Sequence, residues 1–82
     1  MLDRCSHPII DAVATNVRRA RHAGGVTQEE LADRAGLSSR YVGSIERGEV
    51  IMSIITLVQL ASALKVEPAE LLRLPPRRLR RR

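Results

Sequence analysis

The stretch that most constrains this chain is Thr27 to Gly48, TQEELADRAGLSSRYVGSIERG. Glu30 follows Thr27 by three residues. At that spacing a hydroxyl and a carboxylate cap a helix start reciprocally, each taking one unpaired backbone amide. Leu31 and Ala32 supply a small apolar face, and Gly36 stands where a helix ending in a left-handed residue needs it. Leu37 turns inward, and Ser38 or Ser39 opens a second helix that sets Val42 and Ile45 on one side. Two short helices thus meet through a turn of three to four residues that contains glycine. Ala32 lets them cross closely, and the apolar residues at 31, 37, 42 and 45 seal the angle between them.

Around this pair the chain reads as further helices. Residues 1–8 form an aperiodic arm, although Pro8 itself suits a first helical position. Ile10, Val13, Ala14, Val17 and Ala20 recur with helical period, and Arg18, Arg19 and Arg21 crowd the last turns before Gly24-Gly25 stops the helix. After Gly48 a short connection leads to Ser53 as the N-cap of a fourth helix, with Met52 and Leu57 at the hydrophobic-staple positions around it. That helix runs to about Leu64. Glu67-Pro68 begins a short fifth helix that is expected to end near Leu74, because Pro75-Pro76 cannot continue it. Residues 9–74 are therefore read as one all-α domain of five helices, and residues 75–82 as a disordered basic tail.

Composition sharpens this picture and excludes several functions. Eighty-two residues make one small domain. With one Tyr and neither Phe nor Trp, its core must be built from Leu, Ile, Val and Ala. One cysteine, Cys5, excludes an internal disulfide framework, and with two scattered histidines it argues against a structural zinc site. No metal or other cofactor is expected. His7 and His22 lack the partner spacing of a nucleophile or a metal centre, and no Gly-rich phosphate loop occurs, so an enzyme is not expected. Without an early apolar run there is no signal peptide and no membrane span, which predicts a cytoplasmic protein, nucleoid-associated when bound to DNA. The formal charge of +5 belongs to Arg77, Arg78, Arg80, Arg81 and Arg82; the rest of the chain balances nine basic against nine acidic residues. A DNA-binding domain of this composition must segregate its charges onto one face.

The helix pair and the residues after it resemble the Xre/Cro-like helix-turn-helix family, which includes phage repressors, restriction–modification controller proteins and many bacterial regulators. The likeness rests on Gln28, Leu31, Ala32, Gly36, Leu37, Tyr41, Val42, Ile45, Glu46, Arg47 and Gly48. It continues through Ser53, Thr56, Leu57, Leu60, Ala61, Leu64, Val66, Pro68, Leu71 and Leu72, so that it spans roughly Ile9 to Leu72. It implies a five-helix, lambda-repressor-like DNA-binding domain. It also implies two residue roles: Gln28 touching the DNA backbone while bracing the recognition helix, and Glu46 paired with Arg21 in a largely buried salt bridge. A lone carboxylate at Glu46, on the inner side of its helix, would be costly.

Helical spacing identifies the residues that would face DNA. Ser39, Arg40, Gly43, Ser44 and Arg47 form one stripe opposite Val42 and Ile45. Arg pairs bidentately with guanine in a major groove and Ser donates or accepts there, so Ser39, Arg40, Gly43 and Ser44 are the expected base contacts, Arg40 foremost. Gln28, Arg19, Tyr41 and Arg47 are the expected phosphate contacts. The alternative for each is an ordinary solvated surface residue.

The chain departs from the family pattern after the recognition helix. Val50, Ile51 and Met52 stand where relatives carry polar residues and a proline, and Ile55 replaces a commonly charged position. Ile51, Met52, Ile55 and Val58, with Leu72 and Leu74, give more apolar surface than one core needs and are expected to form a dimer interface. Lys65 replaces a common glycine, which puts a left-handed residue there in doubt. The function expected is a sequence-specific, double-strand DNA-binding transcriptional regulator acting as a homodimer on a palindromic operator. The alternative is an antitoxin that binds its promoter and a toxin partner.

Overall fold

The computed structural model describes residues 7–75. Most of the expected arm with Cys5, and the basic tail beyond Pro75, lie outside the described residues. Five helices run in order: α1 Pro8–Ala23, α2 Gln28–Ala35, α3 Ser39–Glu46, α4 Ile54–Leu64 and α5 Pro68–Leu71, with no strand among the described residues. α2 packs on α3 and α4, while α1 lies across α3, α4 and α5.

Each helix start is set by a residue just before it. His7 precedes Pro8, takes the extended backbone that proline demands of its neighbour, and its Nδ1 accepts from the Ile9 amide at 3.0 Å. α1 and its cap therefore begin inside the stretch read as an arm. Thr27 and Glu30 form the full reciprocal capping box, with bonds of 3.0 and 2.9 Å. Ser38 accepts from the Tyr41 amide, and Ser53 from the Thr56 amide. Gly36 closes α2 in the left-handed region at φ 75°, where a Cβ would crowd the backbone, and that reversal sends Leu37 back against the core.

The core is aliphatic throughout. Val17, Leu31, Val42, Ile45, Leu60 and Leu71 are its most deeply buried large side chains, with Val13, Ala32 and Ala61 between them. Ile10 and Ala20 of the expected α1 stripe are only half-buried, whereas Ala12, which that stripe did not include, is buried.

Two local expectations are corrected. α5 ends at Leu71, not near Leu74. The Asn16 side-chain amide, on α1, donates to the carbonyls of Leu71 at 3.0 Å and Arg73 at 2.8 Å, so these carbonyls are satisfied without further helical turns. Lys65 does take the left-handed conformation, at φ 61°, and the amides after Leu64 still bond back to Ser62 and Ala61. The helix-closing geometry is kept at a steric cost of about 1–2 kcal/mol for a residue with a Cβ.

Candidate nucleic-acid interface

The geometry of the recognition helix is decided at Glu46, the last residue of α3 and the only buried charged side chain among the described residues. Its carboxylate meets the Arg21 guanidinium from α1 edge-on, Nε to Oε2 at 2.7 Å and Nη2 to Oε1 at 3.0 Å. The Gln28 side-chain amide, from the first residue of α2, donates to the same Oε1 at 3.0 Å. Arg21 Nη1 also holds the carbonyl of Val26 in the connection between α1 and α2. Three helices and a loop thus converge on one carboxylate, and among the described residues no buried side-chain polar atom is left without a partner. Such complete satisfaction is what lets a buried ion pair persist.

The electrostatics are set by this arrangement. Burial pushes the Glu46 carboxyl up; hydrogen bonds from Arg21 and Gln28, then the charges of Arg21 and Arg18, outweigh it and hold the group below the ordinary carboxylate range. Arg21 is pushed up by the same hydrogen bond. Both stay charged at neutral pH.

The expected salt bridge is therefore present, with Arg21 only 12% and Glu46 4% exposed. Gln28 bonds to the same carboxylate. Arg18, which the sequence did not single out, reaches α3 as well: its Nη1 donates to the Glu46 carbonyl at 2.8 Å, placing a positive charge at the negative end of the helix dipole. Helical periodicity could have flagged it, since 18 and 21 share a face of α1.

The outer side of α3 is open at Ser39 and Arg40, which are exposed, and half-open at Ser44. Gly43 differs from the reading of an exposed stripe: it is buried. A Cβ there would lie 3.2 Å from Arg47 Nη1 and 3.7 Å from Gln28 Oε1, so these two side chains lie over it. Arg47 is exposed but engaged with Glu49 at 3.0 Å. Tyr41 is half-buried and packs against the core. Arg19 is not brought to this face. It lines a cleft with Asn16, Arg73 and Leu74, between α1 and the segment after α5.

The apolar surplus resolves into a groove of about 440 Å³ whose walls include Ile9, Val50, Ile51, Met52, Ile54, Val58 and Leu72. Ile54 was missed in the sequence; as the first residue of α4 it is the most exposed large apolar side chain described, at 79%. Met52 is half-buried and packs against the core as well as lining the groove. Ile55 is exposed next to the groove but is not in its lining, and Leu74 lies apart, in the Arg19 cleft. No helix among the described residues is long and apolar enough to cross a membrane.

Comparison with known proteins bears on this geometry. The family described as Helix-turn-helix (HTH_3) matches residues 17–71. The control protein C.SmaI of Serratia marcescens is 40% identical over 70 residues, 85% of this chain and 83% of that protein. The uncharacterized HTH-type transcriptional regulator y4dJ of Sinorhizobium fredii is 46% identical over 59 residues, 72% of this chain and 77% of that protein. Among solved structures, the restriction-modification controller protein C.AhdI from Aeromonas hydrophila matches with a TM-score of 0.74 at 40% identity, covering 76% of this chain and 94% of that one. With the family match spanning most of the chain and the helix pair, cap and recognition-helix brace all present, the chain belongs to the helix-turn-helix family of DNA-binding transcriptional regulators, which are not enzymes.

Proposed function

We propose that this regulator binds a palindromic operator as a homodimer, with α3 of each copy in a major groove. One observation carries the reading: the only carboxylate of α3, Glu46, is turned inward and paired, leaving Ser39, Arg40 and Ser44 exposed or half-exposed with no acid from their own helix beside them. Such a face suits the acceptor-rich edge of guanine and the phosphates beside it. In this reading Arg40 reads a base, Ser39 and Ser44 assist if the helix sits deep, and Gln28 and Arg47 face phosphates. Gly43 contributes by seating other side chains and Tyr41 by packing. Arg19 contacts DNA only if the duplex bends round α1.

The homodimer is supported by the groove. A single small recognition helix reads few base pairs, and two copies on a two-fold axis read half-sites about 34 Å apart. Ile51, Ile54, Val58 and Leu72, each at least 44% exposed, offer a contiguous apolar face for that axis. No feature of the fold or of the matched relatives favours a toxin partner. The likeness to a restriction-modification controller protein makes the DNA upstream of the chain's own gene the first place to seek the operator.

Footprinting on that DNA, with and without Arg40→Ala, tests the proposal. The expected result is a protected inverted repeat, with the substitution costing about 1–3 kcal/mol at the operator and much less on random DNA. Equal losses on both would remove the base-reading role from Arg40. Protection of a single unrepeated site would sink the two-fold reading.

A further inference from the structure

Arg47 does not extend from the recognition helix. Its Nε donates to Glu49 Oε2 at 3.0 Å, its Nη2 to Ser44 Oγ at 3.4 Å, and its Nη1 lies over Gly43, in the space a side chain there would fill. The guanidinium is thus folded back along the outer side of α3, close to Gln28. Arg47 and Glu49 are 59% and 54% exposed, so water and any incoming polyanion reach both. Glu49 is also the exposed carboxylate nearest in sequence to the recognition helix, where the helix's own acid has been buried.

A carboxylate and a phosphate present similar oxygens to a guanidinium fork. We infer that Glu49 is a built-in rival of DNA phosphate for Arg47, so that the regulator binds DNA by exchanging an internal anion for an external one. The inference rests on the DNA-binding reading above and deepens it. An exposed pair of this kind is weak and rapidly broken, so it lowers affinity without blocking it. It also withholds charge: an arginine that arrives already paired with a carboxylate brings no net positive charge to the phosphates. Consistent with the geometry, the Arg47 hydrogen bond holds the Glu49 carboxyl below its ordinary range, so the rival is ionised at neutral pH. Gly43 has a place in this device, because a bare Cα leaves to the Arg47 guanidinium the space that a side chain would crowd.

The test is a double-mutant cycle on the full chain, measuring affinity for a random-sequence duplex across a range of salt concentrations. The four proteins are the natural chain, Glu49→Gln, Arg47→Gln and the double variant. Glu49→Gln should bind about 1.5- to 5-fold tighter, the range typical of an exposed pair. Its salt dependence should steepen by up to about 0.9 in slope, the increment for one further phosphate neutralised. With Arg47→Gln already present, the same change should give a clearly smaller gain, since no guanidinium remains to be released. An equal or larger gain in that background would mean that Glu49 merely repels DNA, and the inference would be overturned. So would the absence of any gain in the natural background. A natural chain that binds no duplex at any salt concentration would instead overturn the DNA-binding reading itself.

Discussion

The junction at Glu46 and the groove beside α4 are two answers to the same problem, surface that one element cannot satisfy alone. At Glu46 the chain supplies every complement itself: two nitrogens from Arg21, one from Gln28, and Arg18 on the carbonyl. In the groove it supplies none for Ile54, which stands 79% exposed at the start of α4. Polar groups out of water tolerate no vacancy, because an unpaired buried charge costs several kcal/mol. Exposed apolar surface is tolerated at roughly 25 cal/mol per Å² until a partner covers it. The first region therefore has to close within one chain, and the second can wait for another. The closed region sets the pose of α3; the open one is suited to setting how many copies of α3 act together.

Breaking the closed region should have the largest effect on stability. Arg21→Ala leaves the buried Glu46 carboxylate without its counter-charge and should cost about 3–5 kcal/mol in chemical denaturation. A loss below about 1 kcal/mol would mean that water reaches Glu46 freely and that the junction is not closed. The double change Arg21→Met with Glu46→Leu should recover much of the loss in stability, since an apolar replacement leaves no orphan. Operator binding need not recover with it, because the pose of α3 would no longer be held by directional bonds.

Acid probes the same junction by a smaller step. The folded-state pKa of Glu46 is depressed, so its contribution is fully present above the ordinary carboxylate range and is lost as pH falls through the lower folded value. Stability should decline below about pH 4.3, and Glu46→Gln should flatten part of that decline. The penalty of Arg21→Ala should also shrink in acid, where a protonated Glu46 is less costly to bury alone. A penalty independent of pH would remove charge from the account.

At the edge of the closed region, Gly43→Ala measures how tightly the lid over α3 is shut. Alanine favours the helix by about 1 kcal/mol over glycine. The new Cβ would come within 3.2 Å of Arg47 Nη1, the far end of a flexible side chain that can move aside. Net stabilisation approaching 1 kcal/mol is expected in thermal unfolding. Destabilisation would mean that Arg47 and Gln28 are held too rigidly to yield.

How far the sequence reveals these regions depends on how far apart the partners are. The Thr27–Glu30 box was legible because donor and acceptor lie within one turn, as was the serine cap at 53; at the start of α3 the sequence offered Ser38 or Ser39, and the structure uses Ser38. Arg21–Glu46 spans 25 residues and became legible only through the family resemblance. The end of α5 was not legible, since it depends on Asn16, 55 residues from Leu71. Periodicity fixes the direction of a side chain but not what covers it, so Gly43 was placed on the outer stripe without the two side chains that bury it. One residue of helix turns the face by about 100°, enough for Arg18 to join Arg21 at α3 while Arg19 lines the cleft beside Leu74. The apolar surplus was visible as composition, yet its division between a groove and a separate cleft at Leu74 required the fold.

The smallest expected effect on folding should bring the clearest change in assembly. Ile54→Glu places a carboxylate at the first position of α4, on a side chain that packs little within the chain and where a helix N-terminus favours negative charge. The stability of the isolated chain should change by less than about 0.5 kcal/mol. In a two-copy assembly the new carboxylates would enter the apolar groove of each other's partner or face one another near the axis, and burying them unpaired is costly. Sedimentation should then show a folded monomer at concentrations where the natural chain is expected to pair, with cooperative filling of the two half-sites lost. Ile55→Glu, one residue on and outside the groove lining, should weaken association less. The reverse order would mean that the axis runs along the Ile55 flank and that the groove is not the seat of the second copy. Unfolding of either variant would show that these isoleucines belong to the core despite their exposure, and the contrast between a closed and an open region would collapse.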